Sequence, residues 1–123
     1  MQKKPTTRAG AALGAEPFNR VSLRGVVRRA PQERTLPSGD TLISFTVRVP
    51  RYPSTTGPRG TGDTVECSAW TAGTRRRVVS LQPDDQVEVH GALRRSVRGT
   101  PTGITSRYEV IVERLVRVPR AKP

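Results

Sequence analysis

Residues Thr64 to Leu93 read TVECSAWTAGTRRRVVSLQPDDQVEVHGAL, and the order of elements within them decides the fold. From Thr64 to Thr71, Val65, Cys67 and Ala69 alternate with Glu66, Ser68 and Trp70, the period of two that marks a strand covered on one face. Trp70 thereby falls on the polar face. Thr74 reads as a helix N-cap, and Arg75 to Gln82 places Val78, Val79 and Leu81 on a short helix that Pro83 stops. Asp84-Asp85 reads as a turn, after which Val87, Val89, Gly91 and Leu93 alternate with Glu88, His90, Ala92 and Arg94. The stretch is therefore strand, short helix, strand.

Outward from this centre the period of two continues on both sides. Across Asn19 to Arg28, Val21, Leu23, Gly25 and Val27 alternate with Ser22, Arg24, Val26 and Arg28, a first strand. Leu36-Pro37-Ser38-Gly39-Asp40 is a turn signal that leads into a second strand, in which Ile43, Phe45, Val47 and Val49 alternate with Ser44, Thr46 and Arg48. Pro50 to Asp63 carries three prolines and three glycines without an apolar run and reads as a long surface loop. On the far side, Gly99 to Ser106 reads as a hairpin loop, and Tyr108 to Val116 as a fifth strand with Tyr108, Val110 and Val112 on one side.

Three strands, a short helix and two strands fit an all-β architecture, a five-stranded OB-fold barrel with a short helix between strands three and four. A sandwich needs more strands, and an SH3-like barrel does not place its helix there. The 123 residues have room for one such domain, expected at 18–118. Residues 1–17 are expected to form a disordered basic N-terminal tail and residues 119–123 a short C-terminal tail.

Charge indicates the class of partner. Lys and Arg number 22 against 10 Asp and Glu, a formal net charge of +12, and such a surface attracts polyanions. Codon bias in a GC-rich genome explains arginine in place of lysine but not the scarcity of acidic residues. No basic amphipathic helix supports membrane binding, and no apolar run reaches the length of a membrane span. The single Cys67 cannot form an internal disulfide or a metal cluster, and in an apolar strand it reads as a core residue of a cytoplasmic, nucleoid-associated protein. A phosphate loop, a nucleophile with a base nearby in sequence, and paired metal ligands are all lacking, so neither enzyme nor cofactor is expected. His90 has no companion ligand and reads as a surface or interface residue.

Several short motifs now add a likeness. Asn19-Arg20-Val21-Ser22-Leu23-Arg24-Gly25 resembles the opening of bacterial single-stranded DNA-binding (SSB) proteins, and Phe45-Thr46-Val47, Gly91-Ala92-Leu93-Arg94 and Arg107-Tyr108-Glu109-Val110 resemble later segments of the same family in order. The resemblance implies a single-stranded DNA partner, aromatic side chains stacked on bases, and a homo-oligomer, tetramer or dimer. Trp70 matches a stacking position, and Tyr52 lies near another. Thr64 and Arg98 stand where the family often has aromatics, and the chain ends without the family's acidic tail, so the resemblance implies little tail-mediated recruitment.

Single-strand binding needs a basic groove for phosphates and flat groups for bases. Alternation puts Arg24, Arg28, Arg48, Arg94 and Trp70 on outer faces, while Arg51, Tyr52, Arg59 and Arg98 fall on or beside the two long loops. These nine form the expected nucleic-acid-binding set. Tyr108 shares the phase of Val110 and Val112 and reads as core or interface, and Arg75-Arg76-Arg77 as a solvated charge run. The function expected is sequence-tolerant binding of single-stranded DNA in replication, recombination or repair. The competing expectation is a primosomal-type OB adaptor whose main role is protein docking.

Overall fold

The computed structural model describes residues 14–51 and 62–119. Five strands, β1 (Val21–Thr35), β2 (Thr41–Val49), β3 (Asp63–Ala69), β4 (Gln86–Thr100) and β5 (Gly103–Arg117), close into a barrel in the order β1-β2-β3-β5-β4. One helix, α1 (Ala72–Val78), lies between β3 and β4. Four of the strand pairs are antiparallel, and a short parallel contact, Cys67 to Val110 and Ser68 to Ile111, joins β3 to β5. This is the OB-fold barrel expected from the strand order.

Inward residues from every strand meet in one core: Val27, Phe45, Val47, Cys67, Val87, Val89 and Val110 are each at most 1% exposed. Val78 and Leu81 enter the same core from α1 and the residues after it, closing the barrel's end. Close crossing requires glycine at Gly91, where a Cβ would overlap the backbone carbonyl of Ile111 on β5. Gly39, with φ 93°, makes the β1–β2 turn, whose ends are tied by Leu36 N–H to Asp40 O at 2.8 Å.

Several boundaries differ from the sequence expectation. Strand β1 runs on to Thr35 through Pro31, because two register shifts, between Val27 and Arg29 and between Arg29 and Gln32, each insert an extra residue. The second takes in Ala30 and Pro31, so a residue lacking an N–H leaves no gap in the ladder. The helix begins earlier than expected: Thr71 is the N-cap, its hydroxyl accepting from Thr74 N–H at 3.2 Å, while Thr74 is buried inside the first turn. The expected hairpin loop at 99–106 is mostly strand, with only Pro101 and Thr102 between β4 and β5. Tyr108 keeps the phase of Val110 but is 61% exposed, because the hairpin projects past the barrel's core.

Candidate nucleic-acid interface

The β1–β2 and β4–β5 hairpins flank the outer face of β2 and β3, leaving an open groove of about 900 Å³. Ser44, Thr46, Glu66 and Trp70 line its floor. Arg29, Gln32 and Arg34 come from β1, and Arg94, Arg95 and Arg107 from the other hairpin. This is the face on which OB folds take oligonucleotides and oligosaccharides.

The bulges decide which β1 side chains reach the groove. Unbroken alternation from Val27 points Arg28 outward and Arg29 inward. The extra residue at Arg28 instead pairs Arg29 with Thr46, and the next bulge pairs Gln32 with Ser44. Arg29, Gln32 and Arg34 therefore share the outward phase of β2.

Trp70 is held at both ends. Its indole Nε1–H donates to Ser68 Oγ at 2.9 Å, and the buried Ser68 hydroxyl donates its one proton to Glu109 Oε1 at 2.8 Å. Behind it, the Arg75 guanidinium donates to the backbone carbonyls of Trp70 and of Thr41, the latter at 3.2 Å. Arg75, expected to be solvated, thus anchors the junction of strand and helix. The indole is half-buried, a placement that leaves part of the ring open to a flat partner.

Five arginines face two carboxylates across the groove. Arg107 Nη1 donates to Glu66 Oε1 at 3.1 Å, whereas Arg29, Arg34, Arg94 and Arg95 form no ion pair among the described residues. Beneath the floor, burial pushes the Cys67 thiol up to about 12, with the negative charges of Glu109 and Glu66 adding to the effect. The described residues hold no group of three or more His, Cys, Asp and Glu side chains able to ligate a metal.

Of the nine residues expected from sequence, the groove brings together Trp70 and Arg94. Arg24 lies on the β1–β4 face, its guanidinium bound to Glu88. There His90 Nε2 also meets Glu88 Oε1 at 3.3 Å and His90 Nδ1 meets Ser22 Oγ at 2.9 Å. Arg24, first among the causes, and His90 hold the Glu88 carboxyl below the usual carboxylate range. Arg28 is exposed at the first bulge, and Arg48, at the far end of β2, lies beside Gly62. Arg51 clasps Asp63 through contacts of 2.7 and 3.1 Å, which keep the Asp63 carboxyl low. The backbone of Arg98 pairs with Thr105 near the hairpin tip; its side chain, Tyr52 and Arg59 lie outside the described residues.

Sequence alone missed Arg29, Arg34, Arg95 and Arg107. Arg29 needed the first bulge to turn it outward, and Arg34, whose outward phase the second bulge restores, needed β1 to run on past Pro31. The others needed the β4–β5 hairpin to be long.

The family model described as the Single-strand binding protein family matches residues 18–118. The chain belongs to that family. The resemblance to SSB proteins is thereby borne out over nearly the whole barrel. A comparison with curated proteins finds no match. Among solved structures, a Plasmodium falciparum SSB in complex with ssDNA is similar at 19% identity and a TM-score of 0.68, over 85% of this chain and 97% of that one. The wild-type single-stranded DNA-binding protein of Thermus aquaticus is similar at 22% identity and a TM-score of 0.64, over 86% of this chain. A deletion mutant of that protein gives a TM-score of 0.65. The chain spans 43% of each Thermus aquaticus chain, and at these identities the likeness is one of fold.

Proposed function

We propose that this SSB-family chain binds single-stranded DNA with little sequence preference, in replication, recombination or repair, using the groove over β2 and β3. The observation that carries the proposal is Trp70 on the groove floor between two walls that hold Arg29, Arg34, Arg94 and Arg95, four arginines with no ion pair among the described residues. A base has a π-face whatever its identity, and a phosphate accepts from any guanidinium, so this pairing of groups favours strands without reading sequence strictly. The nucleic-acid set proposed from the geometry is Trp70, Arg29, Arg34, Arg94 and Arg95.

Assembly with further copies of the chain belongs to the same proposal. Leu93, Val97, Ile104 and Tyr108 are exposed on one face of the β4–β5 hairpin, an apolar surface that supports burial against a second copy.

Trp70 is the only tryptophan, so its fluorescence reports on one place. Titration with a mixed-sequence single strand is expected to quench it at stoichiometric levels, and Trp70→Ala is expected to weaken binding by about 1–3 kcal/mol while the barrel still melts cooperatively. Equal, weak binding to single strand and duplex, with no quenching, overturns the proposal.

A further inference from the structure

Glu109 is out of place in a groove built for phosphate. It lies on β5 opposite Arg94, lines the groove beside Trp70, and forms no ion pair among the described residues. Among the described residues its carboxylate accepts a single hydrogen bond, from the Ser68 hydroxyl at 2.8 Å. Ser68 in turn accepts from the Trp70 indole at 2.9 Å, so only two hydrogen bonds separate the stacking ring from the carboxylate. Oε1 is committed to Ser68, and Oε2 remains as an acceptor. A carboxylate repels phosphate, so the strand's backbone runs along the arginine walls, and what meets Glu109 is a base edge.

We infer that Glu109 selects among bases at the Trp70 site, favouring cytosine, whose edge presents an amino donor, over thymine. The inference rests on the proposed single-strand function. A carboxylate accepts only. Cytosine offers its 4-amino group, and acceptance from that amine is the ordinary way a Glu recognises cytosine. Thymine has the same ring size, but its one edge donor, N3–H, is flanked by two carbonyl oxygens that face the carboxylate with like partial charge. A bias at one site still leaves the protein tolerant of sequence, because the remaining contacts go to phosphate.

The Ser68 relay makes E109Q an informative variant. Ser68 has one proton and already accepts from the indole, so it donates to residue 109 whatever stands there. In E109Q the amide oxygen takes that proton and the NH₂ group faces the groove, which replaces an acceptor by a donor suited to thymine O4.

Wild type and E109Q are titrated with oligo-dC and oligo-dT of equal length at one salt concentration. The ratio Kd(dT)/Kd(dC) is expected to fall about fivefold or more in the variant. Differences in stiffness and self-stacking between the two oligonucleotides cancel when the ratios are compared. A gain in affinity for both with the ratio preserved is a charge effect alone and overturns the inference. Should E109Q lose its folded circular dichroism, wild type is compared on oligo-dC and on the same strand carrying pyrimidin-2-one, which lacks the 4-amino group. Binding about fivefold weaker is expected there, and equal affinity overturns the inference. If wild type binds neither oligo-dC nor oligo-dT, the proposed function fails and the base preference with it, an outcome distinct from binding without preference.

Discussion

Replacing Arg94 by Gln removes one charge from the groove wall while keeping a polar side chain of similar reach. Four groove arginines, Arg29, Arg34, Arg94 and Arg95, have no carboxylate partner among the described residues, and each is free to displace one counterion from a bound strand. For single strands, log affinity falls with log salt at about −0.7 per phosphate contact, so these four give a slope of about −2.8. Between 50 and 200 mM salt the affinity then drops by about 50-fold, against about 20-fold for R94Q with a slope near −2.1. Contacts elsewhere steepen both slopes equally and leave the decrement of about 0.7 unchanged. The assay is Trp70 quenching by a mixed-sequence oligonucleotide across that salt range. R24Q is the control, since Arg24 is held by Glu88 on the β1–β4 face and lies outside the groove. The reasoning is refuted if R94Q keeps the wild-type slope, or if R24Q lowers it as much.

Other outcomes follow from the same packing. Cys67 is 1% exposed and its thiol is pushed to about 12, so a thiol reagent at pH 8 should label the native protein negligibly and the denatured protein fully; rapid native labelling contradicts a closed barrel. Gly91→Ala forces a Cβ onto the Ile111 backbone, where no flexible side chain gives way, and is expected to cost about 1–3 kcal/mol or more in thermal melting. Glu88 and Asp63 both have carboxyls held below their ordinary values, so their contribution to stability is complete above the usual carboxylate range and declines as pH falls through the lowered values. In R24Q the Glu88 carboxyl should titrate at higher pH by NMR; an unmoved titration removes Arg24 as its main cause.

The alternation of Val65, Cys67 and Ala69, of Val87 and Val89, and of Ile43, Phe45 and Val47 was enough to order the strands around one helix. Period-two patterning depends only on which face meets the core, a property each strand carries locally. Trp70 was legible as outward-facing for the same reason, and Arg94 with it. The helix start was not, because Thr71 and Thr74 are both competent caps and only the preceding β3 fixes which one ends the strand. The hairpin at 99–106 was obscured by Pro101 and Gly103, which read as loop although Pro101 lies in a two-residue turn with Thr102, and Gly103 opens β5.

The groove over β2 and β3 lies on the side of this division that tertiary structure decides. Sequence by itself determined the barrel, its inward residues, the outward placement of Trp70 and the surplus of arginine, since each depends on local period or on composition. Which arginines face Trp70 was decided by partner strands. The first bulge of β1 turned Arg29 toward the groove and the second restored the outward phase of Gln32 and Arg34, while the parallel seam between β3 and β5 brought Glu109 to Ser68 across 41 residues of chain. A register shift of one residue reverses every side chain beyond it, and that shift is set by the strand alongside.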